Sequence, residues 1–344
     1  MKQHRFGPGP LLDGNGNLRE PGYSTELSQT YDRTAIRASR LRIKEWDYYL
    51  ITNDRFGIAL TIDDNGYMGL LSASVIDFAK RTETTVSPMF WFPMGKTGMP
   101  ASSKTGDVRK TLKNAFGAFE HTDEGRRLSF RIDRFSDGKP FSCEILLSDE
   151  PKDSMVIATP WPDAPKAFYY NQKINCMRAE GKMVYDDQEY LFSPATAFAV
   201  LDWGRGVWTY DNTWYWGTCS TRIDGAPFGF NLGYGFSDRS SASENALFYR
   251  GRLHKLEEVT FGIPEDGKGS PDYTAPWTVT SSDGRFEAVF MPIIDRKGLI
   301  DLKLFVSDQH QVFGKMSGKA VLDDGTEVRI KDGMCFAEIV HNRY

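Results

Sequence analysis

The sequence is poor in the side chains that build disulfides and metal centres. Its four cysteines (Cys143, Cys176, Cys219, Cys335) and five histidines (His4, His121, His254, His310, His341) are scattered through 344 residues. A disulfide framework needs regularly spaced cysteines and an oxidising compartment, so this pattern predicts reduced thiols in a cytoplasmic protein. No Cys/His spacing matches a zinc site, and no metal is expected. Neither sign of charge dominates: 42 basic residues against 46 acidic ones leave a formal net charge of −4. That excludes the basic footprint of a nucleic-acid binder and the polybasic patch of a membrane-surface protein. No apolar run reaches the length of a transmembrane segment. The first residues, Met1-Lys2-Gln3-His4-Arg5-Phe6, lack the apolar core of a signal peptide. Cofactor loops are missing too. Gly95-Lys96-Thr97 imitates the end of a phosphate loop, but Phe90 stands where its first glycine is required. Gly233-Tyr234-Gly235 lacks the third glycine and the strand-to-helix setting of a dinucleotide site. No G-x-S-x-G nucleophile elbow occurs, and no cofactor is expected.

Convincing helical periodicity is also scarce. Only 73–81 and 108–119 are read as helices. Period two dominates instead. Leu128, Phe130 and Ile132 alternate with polar residues, as do Phe286, Ala288 and Phe290, while Phe230, Leu232, Tyr234 and Phe236 alternate with Asn231 and two glycines. Seven Asp-Gly pairs, with Asn65-Gly66, punctuate these runs, and such dipeptides between alternating segments are strong hairpin signals. The fold class is therefore mostly β, made of antiparallel hairpins. Closing such sheets into barrels removes their edges. The chain is long enough for two domains. Three prolines within 159–165 mark the expected linker, dividing the chain into domains 1–158 and 165–344.

One segment concentrates aromatic side chains and charge. Asp202-Trp203-Gly204-Arg205-Gly206-Val207-Trp208 is followed by Trp214-Tyr215-Trp216, so four of the eight tryptophans fall here. Covering four indoles is worth about 15–25 kcal/mol at most, so protein or ligand should enclose them. Asp202 ends the apolar run Phe198-Ala199-Val200-Leu201. Desolvation there would raise its pKa and suit it to general acid catalysis. The competing reading is a structural salt bridge to Arg205, which would hold Asp202 ionised. Gly204 and Gly206 mark a bulge or a close backbone approach. Trp214 and Trp216 share one face of a strand; they could line a lumen or be plain core. Of the adjacent Tyr169 and Tyr170, at most one faces inward. Asn231, Glu244 and Asn245 are polar groups near apolar strands and need partners, whether a ligand or a turn.

Several runs together resemble the bacterial DUF2804 family: Lys44-Glu45-Trp46-Asp47-Tyr48-Tyr49, Asp202-Trp203-Gly204-Arg205-Gly206, Asn231-Leu232-Gly233-Tyr234-Gly235-Phe236, Glu244-Asn245 and Pro276-Trp277. More distantly, Tyr169-Tyr170, Gly181 and Asp202 beside tryptophan are similar to the carotenoid hydratase and AttH-like superfamily. That resemblance implies two lipocalin-like barrels packed side by side. It also implies enzymes that hydrate isoprenoid double bonds or cyclise polyenes. Trp203 and Arg205 depart from the usual neighbours of the aspartate.

These readings predict an elongated apolar pocket in the C-terminal barrel and the seam between the barrels, holding a small apolar ligand. The leading expectation is a hydratase/cyclase-type lyase or isomerase acting by non-redox acid–base chemistry on an isoprenoid- or polyene-like molecule. Asp202 would move a proton. Arg205 would tune it or bind a polar end of the ligand. Trp203, Trp208, Trp214 and Trp216, with Tyr169, Tyr170, Asn231, Glu244 and Asn245, would bind the ligand. A non-catalytic carrier of a hydrophobic ligand is the alternative. A carbohydrate-binding or glycoside-hydrolysing protein is a third reading, but hydrolysis needs two facing carboxylates and only Asp202 stands out.

Overall fold

The computed structural model describes residues 3–301, 303 and 306–343. Among them the regular structure is almost wholly antiparallel strand, with two short 3-10 turns, Arg33–Ala35 and Arg40–Arg42, and no α-helix. Hairpin chemistry explains much of this. Asp137-Gly138 and Asp224-Gly225 both adopt positive φ and join Ser136 to Lys139 and Ile223 to Ala226 as paired residues, the two-residue turn that right-twisted strands prefer.

Two large sheets result, of fourteen and nine strands, beside a two-stranded parallel pair of Gly9–Pro10 with Gln29–Thr30. The centre of the first runs through Phe56–Asp64, Ile43–Thr52, Phe198–Val207, Ala164–Tyr185 and Lys139–Ser148 in hydrogen-bonded order. The centre of the second runs through Ala226–Tyr234, Asp211–Ile223, Glu327–Arg343 and Val306–Val321. Each curls into a lipocalin-like barrel. In the first, the far ends meet so closely that a Cβ on Gly117 would lie 2.5 Å from Leu71. In the second, the Phe261 amide donates to the Tyr234 hydroxyl at 3.0 Å across the closing edge.

Both expected helices are strands. Residues 73–81 belong mainly to the strand Met68–Asp77. Ala73 and Val75 enter the first barrel's core, whereas Ile76 and Phe78 pack on the opposite face. A strand buried on both faces loses its alternation and imitates a helix. Residues 108–119 form a hairpin in which Phe119 pairs with Val108. The expected linker is another hairpin. Trp161 pairs with Ala164 around Pro162-Asp163, and a register shift after Pro160 absorbs the proline. The boundary drawn at 158–165 therefore falls within the first sheet, and the chain passes to the second sheet only between Val207 and Asp211.

The lumen of the second barrel, where an elongated pocket is expected, is packed with side chains. Phe228, Phe230, Trp277, Phe286 and Phe290 fill its lumen and are fully buried. Further apolar clusters lie between the barrels, where Leu50, Val200 and Phe78 meet Trp216, Phe313 and Phe336. All four cysteines are free and buried. Among the described residues no helix is long and apolar enough to cross a membrane.

Candidate active site

The strand Phe198–Val207 lies between Ala164–Tyr185 and Ile43–Thr52. Directly opposed residues share a face, and successive residues alternate. Asp202 is thus level with Lys173 and Tyr48, and Gly204 with Asn171 and Trp46. This face looks across the seam at the second barrel. Trp203 and Arg205 look the other way, into the first barrel.

Asp202 is held by its row-mates. Lys173 Nζ lies 2.7 Å from its Oδ1, with both side chains almost covered. Asn171 Nδ2 donates to the same oxygen at 2.6 Å. The Lys173 ammonium also sits 4.0 Å above the Trp216 ring, a cation–π contact in a dry setting. Trp216 Nε1 donates to Asn231 Oδ1 at 2.7 Å, and Asn231 Nδ2 donates to the Glu244 carbonyl at 2.9 Å.

Two more carboxyl groups border the same seam. Glu244 is buried, and its side chain lies so flat on the facing strand that a Cβ on Gly233 would come 2.0 Å from Oε1. Burial pushes the Glu244 carboxyl up; Lys173 pulls it down, and nearby Asp202 adds to the rise. Glu338 accepts from Trp214 Nε1 at 3.0 Å and Gln311 Nε2 at 2.7 Å. Burial raises it as well, against these two hydrogen bonds. Tyr169 donates weakly to Glu244 at 3.5 Å. Burial and the neighbouring acids hold the Tyr169 phenol well above its ordinary value.

An aromatic wall adjoins these acids. Trp208 is its hub, with ring centroids 5.0–6.0 Å from Trp46, Trp161, Tyr169, Trp214 and Phe236. Trp46, Trp161, Trp208, Trp214 and Phe236 are half-buried, so the wall reaches solvent. Gly204 exists for this packing, because a Cβ there would fall 2.0 Å from Trp46. The glycines mark close approach and not a bulge: register with Ile43–Thr52 is unbroken along the strand. Trp208 Nε1 and Asn171 Oδ1 are buried without a hydrogen-bond partner among the described residues.

The predicted site residues therefore divide. Asp202, Trp208, Trp214, Trp216, Tyr169, Asn231 and Glu244 lie at the seam. Arg205 does not touch Asp202. It is fully buried in the first barrel, 2.9 Å from Asp47, and donates to the carbonyls of Trp46 and Pro100 at 2.8 Å each. The tuning role expected of it has no contact to act through. Trp203 lies under the Arg205 guanidinium at 4.3 Å, and Tyr170 donates to the Gln29 carbonyl at 2.8 Å; both belong to that barrel's interior. Asn245 ties strands, accepting from Gly233 N at 2.7 Å and donating to the Glu257 carbonyl at 2.8 Å. Lys173, Asn171, Trp46, Trp161 and Glu338 were missed. For Asn171 and Lys173 the signal is the run Asn171-Gln172-Lys173, with Asn175, between the apolar Phe168-Tyr169-Tyr170 and Ile174; these four polar residues are buried and hence in need of partners. Among the described residues no group of histidine, cysteine and acidic side chains converges to hold a metal ion.

Comparison with known proteins places the chain in a family. It belongs to the family described as Domain of unknown function (DUF2804), whose model matches residues 2–344. Its fold is similar to that of kievitone hydratase from Nectria haematococca, with a TM-score of 0.51 at 12% identity over 87% of this chain and 88% of that one. It is also similar to a protein described as an AttH from Nitrosomonas europaea, with a TM-score of 0.53 at 15% identity over 92% and 98% of the two chains. No curated protein matches the sequence.

Proposed function

From this fold and this geometry we propose that the protein adds or removes water at a double bond of an apolar, isoprenoid- or polyene-like molecule held against the seam. Glu244 is the proton donor. Its proton goes to one carbon of the double bond, and the cation left on the neighbouring carbon is stabilised by the faces of Trp46, Trp208 and Trp214. Each face contributes up to about 2 kcal/mol when desolvated. Water attacks the cation and gives up a proton to Asp202, which Lys173 and Asn171 hold in place. Proton transfer back to Glu244 restores the site, so the sum is addition of one water. Trp216 takes no part in cation stabilisation, because Lys173 already covers its ring.

One observation carries this reading: a buried carboxyl with a raised pKa and an ion-paired carboxylate border the same seam beside an aromatic wall. Two acids in unlike environments suit opposite roles in proton transfer. The hydratase named among the structural neighbours accords with it. Glycoside hydrolysis called for a second carboxylate near Asp202, and Glu244 now provides a candidate, so sugars belong in the same assay.

The test is to extract the purified protein with organic solvent, identify what co-purifies, and incubate it with the protein in H2(18)O beside a panel of polyenes, prenylated phenols and aryl glycosides. Uptake of 18O into an apolar compound, abolished in folded Glu244→Gln and Asp202→Asn variants, is the expected result. An apolar compound returned unlabelled would make the protein a carrier. Labelling that survives both substitutions would remove these residues from the chemistry.

A further inference from the structure

A mostly polar cleft of about 560 Å³ opens where three distant segments converge. Arg5 comes from the N-terminal arm, Lys152 from the loop before Met155–Trp161, and Lys255 from the strand Arg252–Lys255. The arm is fixed by main-chain bonds: Phe6 donates to the Tyr23 carbonyl at 3.0 Å, and Tyr23 donates to the His4 carbonyl at 2.9 Å.

The charge in this cleft is out of balance. Its acids are already engaged. Asp153 pairs with Arg252 at 3.2 Å, Asp323 with Arg285 at 2.7 Å, and Glu26 with Lys104 at 3.7 Å. Three cations remain with no carboxylate in ion-pair contact among the described residues. Arg5 donates to the Thr25 hydroxyl at 2.9 Å. Lys255 donates to the Ser243 carbonyl at 2.5 Å and lies 5.0 Å from the Tyr23 ring centre. Lys152 lines the same space. Glu244 and Glu258 act on Lys255 from further off, but cations from separate elements gathered round a concave space, with no carboxylate in direct contact, form an electrostatic site for a negative ligand.

We infer that this cleft binds a small polyanionic metabolite, bearing phosphate or several carboxylates, through Arg5, Lys152 and Lys255. Its volume lies in the range of small-molecule sites, about 300–1,000 Å³, and exceeds what a single inorganic anion fills. Burial drops Lys255 to about 7, and an anion beside it would favour its charged form.

The full-length chain titrated calorimetrically at constant ionic strength with sodium pyrophosphate, and separately with citrate, tests this. One-to-one saturable binding of at least one of them is expected. Pyrophosphate alone would identify phosphate esters, and citrate alone polycarboxylates. Arg5→Gln and Lys152→Gln should each weaken binding about tenfold, the loss of one charge-assisted hydrogen bond. Lys331→Gln, at an exposed position of the strand Glu327–Arg343, should change nothing, and thermal melts check that each variant is folded. Failure of both anions to bind would overturn the inference. So would binding that is indifferent to Arg5 and Lys152, or equally weakened by the Lys331 control. The Arg5 and Lys152 variants leave the residues of the proposed chemistry in place, so anion binding and 18O uptake can fail separately.

Discussion

Replacing Lys173 by methionine should expose how the seam is held. The ammonium is within 2.7 Å of Asp202, and its side chain is only 3% exposed. Methionine keeps most of the volume and the contact with Trp216 but leaves Asp202 in a covered site with only Asn171 to satisfy it. Removing one partner of a buried ion pair costs about 3–5 kcal/mol, most of it the burden of the charge left behind. For 344 residues the entropy of unfolding is about 0.7 kcal/mol/K, so the melting temperature should fall by about 4–7 °C if the chain unfolds in one transition. Denaturant unfolding of Lys173→Met, Asp202→Asn and the double variant completes a thermodynamic cycle. The double variant buries no charge at this position and should be more stable than Lys173→Met, with a coupling energy of about 2 kcal/mol. A cost below about 1 kcal/mol for Lys173→Met, or additive effects around the cycle, would mean that the pair is solvated and that the seam is not the dry site described above.

Glu244 should make stability depend on pH. Burial raises its pKa above 4.5, so the folded state prefers the protonated form. Its favourable contribution is complete below pH 4.5 and is lost as the pH climbs through the raised value. Glu244→Gln should therefore match the parent in denaturant melts at pH 4 and exceed it at pH 8; the reverse order would contradict the assignment. Gly204→Ala places a methyl 2.0 Å from Trp46. Overpacking of this kind costs about 1–3 kcal/mol and should shift tryptophan emission as Trp46 is displaced. Unchanged melting and emission would refute the close approach.

The architecture was readable from the sequence wherever one side of a strand faces outward. Leu128, Phe130 and Ile132 point into the first barrel, while Arg127 before them and Arg131 between the last two are exposed, and the polar–apolar alternation appears directly. Asp137-Gly138 and Asp224-Gly225 make the turns their composition predicts. The reading failed where two barrels press on one strand. Ala73, Val75, Ile76 and Phe78 serve two different cores, and no periodicity survives to identify a strand. The same burial hid the boundary between sheets, because a proline-rich hairpin is a stronger compositional mark than the ordinary residues from Val207 to Asp211, where the chain changes sheet.

The site shows the same limit at finer scale. Asp202, Trp203 and Arg205 are neighbours in sequence, and adjacency suggested one cluster. A strand separates neighbours: Asp202 faces the seam, while Trp203 and Arg205 face the first barrel. There the Arg205–Asp47 pair at 2.9 Å anchors the strand from behind, with Arg205 also bonded to the carbonyl of Trp46. Trp46 in turn lies over Gly204, two residues along the same face from Asp202. The back of the strand thus fixes the backbone that sets the position of the aromatic wall at its front. Such a division requires a strand covered on both sides. Packing two barrels side by side supplies one, with a charged side chain on each face and a separate partner for each.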